Sequence, residues 1–133
     1  EAETILACNE QTAAAGLTLT PAQAAALAQT RAESLRRTGR VEFGGGITQA
    51  LIRAFCDSPY LTRENYAGTL GELTEIFYAF KNETLDAVTD AELLEKMRAL
   101  FDGPCGGSTE LLAGRELPDF ARKVRAGGRA DGE

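Results

Sequence analysis

Tyr66, Leu70, Leu73, Phe77 and Phe80 recur at steps of four, three, four and three, the spacing of side chains that share one face of an α-helix. An apolar stripe of that length has to be buried, so the chain must close a core around it. Thr69 and Ile76 widen the stripe, and the pattern predicts a helix over residues 62–83, the longest element of the chain. Gly68 and Gly71 fall inside it, each costing about 1 kcal/mol relative to alanine, so a close backbone crossing or a local break is expected there. Strand signals are nearly absent. Val41-Glu42-Phe43 reads as one short extended segment with no second candidate to pair with it.

The other helices announce themselves by their ends. A short helical pattern over residues 3–15 is stopped by Gly16, a residue suited to the left-handed position past a helix terminus. Thr20-Pro21-Ala22-Gln23 combines a capping threonine, a proline in the first turn and a glutamine that reaches back. The alanine-rich stretch that follows, with Leu27, Arg31 and Leu35 one turn apart, closes on Arg36, Arg37, Thr38 and Gly39. Ile47, Leu51, Ile52 and Phe55 share a second helical face, ended by Ser58-Pro59. Thr89 and Glu92 form another capping box, ahead of Leu93, Leu94, Met97, Leu100 and Phe101. Ser108 starts a short helix expected to end near Gly114, and Leu117, Phe120 and Val124 mark a last one with Pro118 in its first turn. Capped amphipathic helices joined by short links imply an all-α, single-domain irregular (orthogonal) bundle of five to seven helices over residues 1–126. Residues 127–133 carry nothing apolar larger than alanine and are expected to form a flexible tail.

Charge narrows the class of partner. The net charge is −6 with a pI near 4.8, which argues against nucleic acid, because phosphate binding needs clustered positive charge. No apolar run approaches the roughly 20 residues that span a bilayer. Residues 62–95 hold eight acids against Arg63 and Lys81 and so carry the whole net charge. Glu64, Glu72 and Glu75 are the candidate interaction face on the long helix, suited to another protein or to self-association. The plainer reading is a solvated helix side, with Asp90 and Glu92 serving the positive end of the next helix.

Candidate chemistry is sparse. The chain has no histidine, which removes the commonest general base and metal ligand. Cys8, Cys56 and Cys105 are too far apart in sequence for a zinc spacing and fit reduced thiols, Cys105 in its glycine turn being the more exposed. No metal and no cofactor is expected, and no catalytic residue is assigned. Lys81 beside Phe80 and Tyr78 is either a lysine of altered basicity or one whose stem covers aromatic surface. The three tyrosines point to aromatic packing, or to a small-ligand cavity between the long helix and the Ile47–Phe55 helix. Arg36, Arg37 and Arg40 with Gly44, Gly45 and Gly46 form the one candidate anion site: bare amides before a helix, with guanidinium groups nearby. It lacks the lysine and hydroxyl of a Walker loop. A non-enzymatic interaction or regulatory module is therefore the leading expectation, and a small-anion binder or modest enzyme built on those arginines and glycines is the alternative.

Arg40-Val41-Glu42-Phe43, Phe55-Cys56-Asp57-Ser58-Pro59-Tyr60, Phe77-Tyr78-Ala79-Phe80-Lys81-Asn82-Glu83 and Cys105-Gly106-Gly107-Ser108 together resemble a small all-helical family of unknown function found in Gram-positive anaerobes. The resemblance spans about residues 5–117. It implies a bacterial, cytoplasmic protein and carries no activity to transfer. The opening residues show no basic segment followed by an apolar one, so no secretory signal is expected.

Overall fold

Thr20 and Thr89 each open a helix as their neighbours require. In the computed structural model, which describes residues 2–42 and 46–127, each hydroxyl accepts from the backbone N–H three residues on, at 3.1 Å. The Gln23 and Glu92 side chains accept from the threonine N–H in return, at 2.9 and 2.7 Å. The helices are α1 (Ala2–Ala7), α2 (Asn9–Thr12), α3 (Pro21–Thr38), α4 (Gly46–Phe55), α5 (Tyr66–Glu83), α6 (Asp90–Asp102), α7 (Thr109–Leu111) and α8 (Leu117–Arg125). Six of them reach six residues or more, and no strand occurs among the described residues, so the fold is an all-α single-domain bundle. Val41 and Glu42 are irregular; Phe43, Gly44, Gly45 and the expected tail from residue 128 on lie outside the described residues.

One apolar cluster forms the core. Leu51, Ile52 and Phe55 of α4, Leu70 and Leu73 of α5, and Leu93, Met97 and Phe101 of α6 are each fully buried. The expected stripe on α5 is at its centre, and burial goes further round the helix than the spacing predicts. Thr74, Tyr78 and Lys81 are buried as well, because α3 covers the flank that the stripe leaves free.

Three boundaries differ from the sequence reading, each for a local reason. The helix expected over 62–83 begins at Tyr66, and its 18 residues only equal those of α3. Residues 62–65 are instead held in a turn by the Asn65 side chain, which accepts from Thr62 N–H at 2.8 Å and donates to the Tyr60 carbonyl at 3.1 Å. The single helix expected over 3–15 is divided at Cys8 into α1, α2 and a tighter turn over Ala13–Ala15, ending on Gly16 at φ 79°. The helix expected to stop near Gly114 does not stop. A π turn over Leu112–Glu116 carries α7 into α8. Leu112 and Leu117 are both fully buried, yet five residues of regular α-helix would put them about 140° apart. The wider turn restores both to the core side.

Candidate functional site

α3 and α5 lie side by side and run in the same direction. Near their starts, Gln23, Ala26, Leu27 and Thr30 of α3 face Ala67, Gly68, Gly71, Glu72 and Glu75 of α5 across an open groove of about 380 Å³. Near their ends, Asn82 Nδ2 donates to the Thr38 carbonyl at 2.9 Å. Neither the close crossing nor the local break expected at Gly68 and Gly71 occurs: α5 runs unbroken through both. A Cβ built on either glycine meets nothing within 4 Å. The missing side chains deepen the groove instead. Gly68→Ala and Gly71→Ala are each expected to raise stability by about 0.5–1 kcal/mol in urea unfolding, since alanine lowers the entropy of the unfolded chain at no steric cost. A loss at either position would show that a neighbour occupies that space.

Ion pairing sorts the charges that sequence alone leaves mixed. Asp86 pairs with Arg40, Asp90 with Lys81 and Glu83 with Arg125. No ion pair among the described residues engages Glu64, Glu72 or Glu75; Glu72 accepts one hydrogen bond, from Thr109 Oγ1 at 2.7 Å. All three glutamates are exposed. Glu72 and Glu75 rim the groove, whereas Glu64 sits in the turn before α5. Glu92 and Glu95 of α6 are likewise exposed and in no ion pair among the described residues, so the unpaired acids of this run divide between α5 with its preceding turn and α6.

The arginines of α3 and the segment after it are divided. Arg31 is buried in α3 and its Nη2 donates to Glu42 Oε1 at 2.8 Å; the Tyr78 hydroxyl donates to the same oxygen at 2.7 Å. Arg40 Nη1 donates to Asn82 Oδ1 at 2.6 Å and Nη2 to Asp86 Oδ1 at 2.7 Å. The hydrogen bond from Arg40 holds the Asp86 carboxyl below the usual carboxylate range. Arg36 and Arg37 stand exposed in the last turn of α3, and Gly46 begins α4. Arg40 is therefore engaged by Asn82 at the end of α5 and by Asp86 just beyond it, and Gly44 and Gly45 fall outside the described residues.

Glu42, Asn82 and Asp86 anchor this corner, and no periodicity or spacing marked them as partners of these arginines. Arg98 is a second hub that sequence reasoning missed. Its guanidinium reaches the Ala54 carbonyl, Asp57 and Asp102, tying the end of α4 to α6. Lys81 is a structural lysine: its ammonium donates to the Val88 carbonyl and pairs with Asp90 at the start of α6, closing the α5–α6 link. Tyr66 and Tyr78 are core residues, and burial pushes both phenols up. The space between α5 and α4, where a ligand cavity was expected, is filled by Leu51, Ile52, Phe55 and Leu70, all fully buried. Cys105 is buried, contrary to expectation, and Cys56 is the more accessible thiol. Burial pushes the Cys8 and Cys105 thiols up. Among the described residues no group of three or more acids or thiols could hold a metal ion, and no helix is long and apolar enough to cross a membrane.

Fold and site together define a small all-α protein with an open, acid-rimmed groove between two parallel helices. The chain belongs to the family of unknown function designated DUF6323, whose profile matches residues 4–130. No curated protein and no solved structure matches it.

Proposed function

We propose that this protein is a non-enzymatic interaction module that binds a basic, partly apolar protein segment in the α3–α5 groove. The observation that carries the reading is that Glu72 and Glu75, two of the acids engaged in no ion pair among the described residues, both line the groove. Glu72 and Glu75 line it together with Ala26, Leu27, Ala67, Gly68 and Gly71. An open channel lined by small side chains and two carboxylates suits helix-in-groove recognition, in which apolar anchors meet the small side chains and cations meet the acids. The resemblance drawn from the sequence supports placing the protein in a bacterial cytoplasm. The small-anion alternative has weaker support, because Arg40 is already engaged by Asn82 and Asp86.

A synthetic amphipathic peptide rich in lysine and arginine, followed by fluorescence anisotropy, tests the reading. Binding at low salt is expected to weaken about tenfold between about 0.05 M and about 0.5 M salt. It should weaken by at least about tenfold again in Glu72→Lys/Glu75→Lys. Equal binding by the wild-type and charge-reversed chains would overturn it, as would no binding at low salt.

A further inference from the structure

Two aliphatic side chains stand in water at the far end of the α3–α5 pair. Val41 is 78% exposed and Leu85 is 70% exposed. They belong to one corner: Val41 follows Arg40 and Leu85 precedes Asp86, and those two charged groups are 2.7 Å apart. Single exposed aliphatics are ordinary on protein surfaces, so exposure alone decides nothing. The backbone is what sets this corner apart. Leu85 and Asp86 both adopt the left-handed conformation, at φ 55° and 57°, and a leucine rarely does so. Strain of this kind persists only where surrounding contacts impose it.

Those contacts come from four directions. Arg40 grips Asp86 and Asn82; Leu85 N–H donates to the Asn82 carbonyl at 2.9 Å; Arg125 Nη1 donates to the Glu83 carbonyl at 2.9 Å; Lys81 holds the Val88 carbonyl. Val41 is pinned between Arg40 and Glu42, both hydrogen-bonded to α5 side chains. The result is a stiff apolar knob whose ordering cost has already been met in the free protein, the condition under which a small contact binds well. Arg36 and Arg37, exposed in the adjoining last turn of α3, engage in no ion pair among the described residues.

Knob and groove are opposite in both shape and charge. One projects leucine and valine beside two arginines, and the other recedes over two glycines beside two glutamates, none of the four in an ion pair among the described residues. Because α3 and α5 run parallel, the two lie at opposite ends of the same helix pair, out of reach of each other within one molecule. We infer that the Val41–Leu85 corner of one molecule seats in the α3–α5 groove of a second copy, so that the chain associates head to tail. The inference rests on the groove reading above and names its partner. A heterologous contact of this kind extends into a chain or closes into a ring.

Sedimentation velocity on the full chain tests it with two complementary blocks. Leu85→Asn removes the knob while placing a residue that tolerates the left-handed conformation. Gly71→Trp fills the groove at a position with open space around it. Far-UV circular dichroism confirms that each variant is folded. The wild type is expected to grow in mass with concentration at low salt, with association weakened about tenfold in about 0.5 M salt. Each variant alone should remain monomeric, and an equimolar mixture should form a heterodimer and nothing larger. A wild type monomeric at every concentration, variants that still associate, or a mixture that stays monomeric would each overturn the inference. If the basic peptide nevertheless binds the wild-type groove, the proposed function survives and only the identity of the partner falls.

Discussion

Phe101→Ala is expected to lower the unfolding free energy by about 3–5 kcal/mol, the range for deleting a phenyl ring from a closed core. Phe101 is fully buried on α6, edge-on to Phe55 of α4 with ring centroids 5.5 Å apart, and Tyr60 meets it edge-on from the loop after α4 at 6.1 Å. The ring therefore joins two helices and a loop, and its removal leaves a cavity that none of them can fill without moving. Single domains hold only about 5–15 kcal/mol in total, so the variant sits near the edge of folding. Urea unfolding followed by circular dichroism reads the change as a shift in midpoint at nearly constant slope. Phe101→Leu keeps most of the volume and is expected to lose less than half as much. A loss below about 1 kcal/mol for the alanine variant would mean that α4 and α6 do not close on this ring.

Glu42→Ala is expected to cost about 2–4 kcal/mol, toward the lower part of the range for breaking a buried ion pair, because the glutamate side chain keeps partial access to water. One carboxylate oxygen serves both Arg31 and Tyr78. Truncating it removes one anionic partner of a mostly buried guanidinium and the acceptor of a fully buried phenol. In a double-mutant cycle with Arg31→Met, the paired variant should lose less than the sum of the single ones, because the methionine leaves no charge to compensate. Additive losses would show that the two side chains do not act together. The phenol also sets an alkaline limit. Burial, reinforced by the neighbouring carboxylate, holds Tyr78 above its ordinary value of 10.0. The unfolded chain therefore gives up this proton first. Its contribution to stability is complete below pH 10 and declines as pH rises beyond it. Tyr78→Phe should flatten that decline, measured as the unfolding midpoint against pH.

The groove and the corner were legible to different degrees. Glu64, Glu72 and Glu75 were visible as part of an acidic run, but so were Glu83, Asp86 and Asp90, and nothing in the order of residues says which acids meet a cation. Arg40 and Asp86 are 46 positions apart and Glu42 and Tyr78 are 36 apart. Pairs at such distances obey no period and become visible only when the helices are placed. Gly68 and Gly71 were conspicuous, yet their meaning was reversed: a missing side chain permits either a close neighbour or an empty space, and packing around α3 chose the space. Leu85 carried no signal, because a leucine in the left-handed region violates the local preference that a sequence reading relies on.

Helix identity and most helix ends were settled locally. The Tyr66-to-Phe80 stripe, the Thr20 and Thr89 caps and the stops at Gly16 and Gly39 act over one or two turns, through hydrogen bonds and burial patterns that need no knowledge of the rest of the molecule. The long-range arrangement was settled elsewhere. That α3 lies parallel to α5, that Arg31 and Arg40 turn inward while Arg36 and Arg37 stay in water, and that an open channel is left between two helices all depend on how separate apolar faces share one core. Many arrangements bury those faces nearly equally well by pattern alone; close packing and the pairing of buried charges select among them.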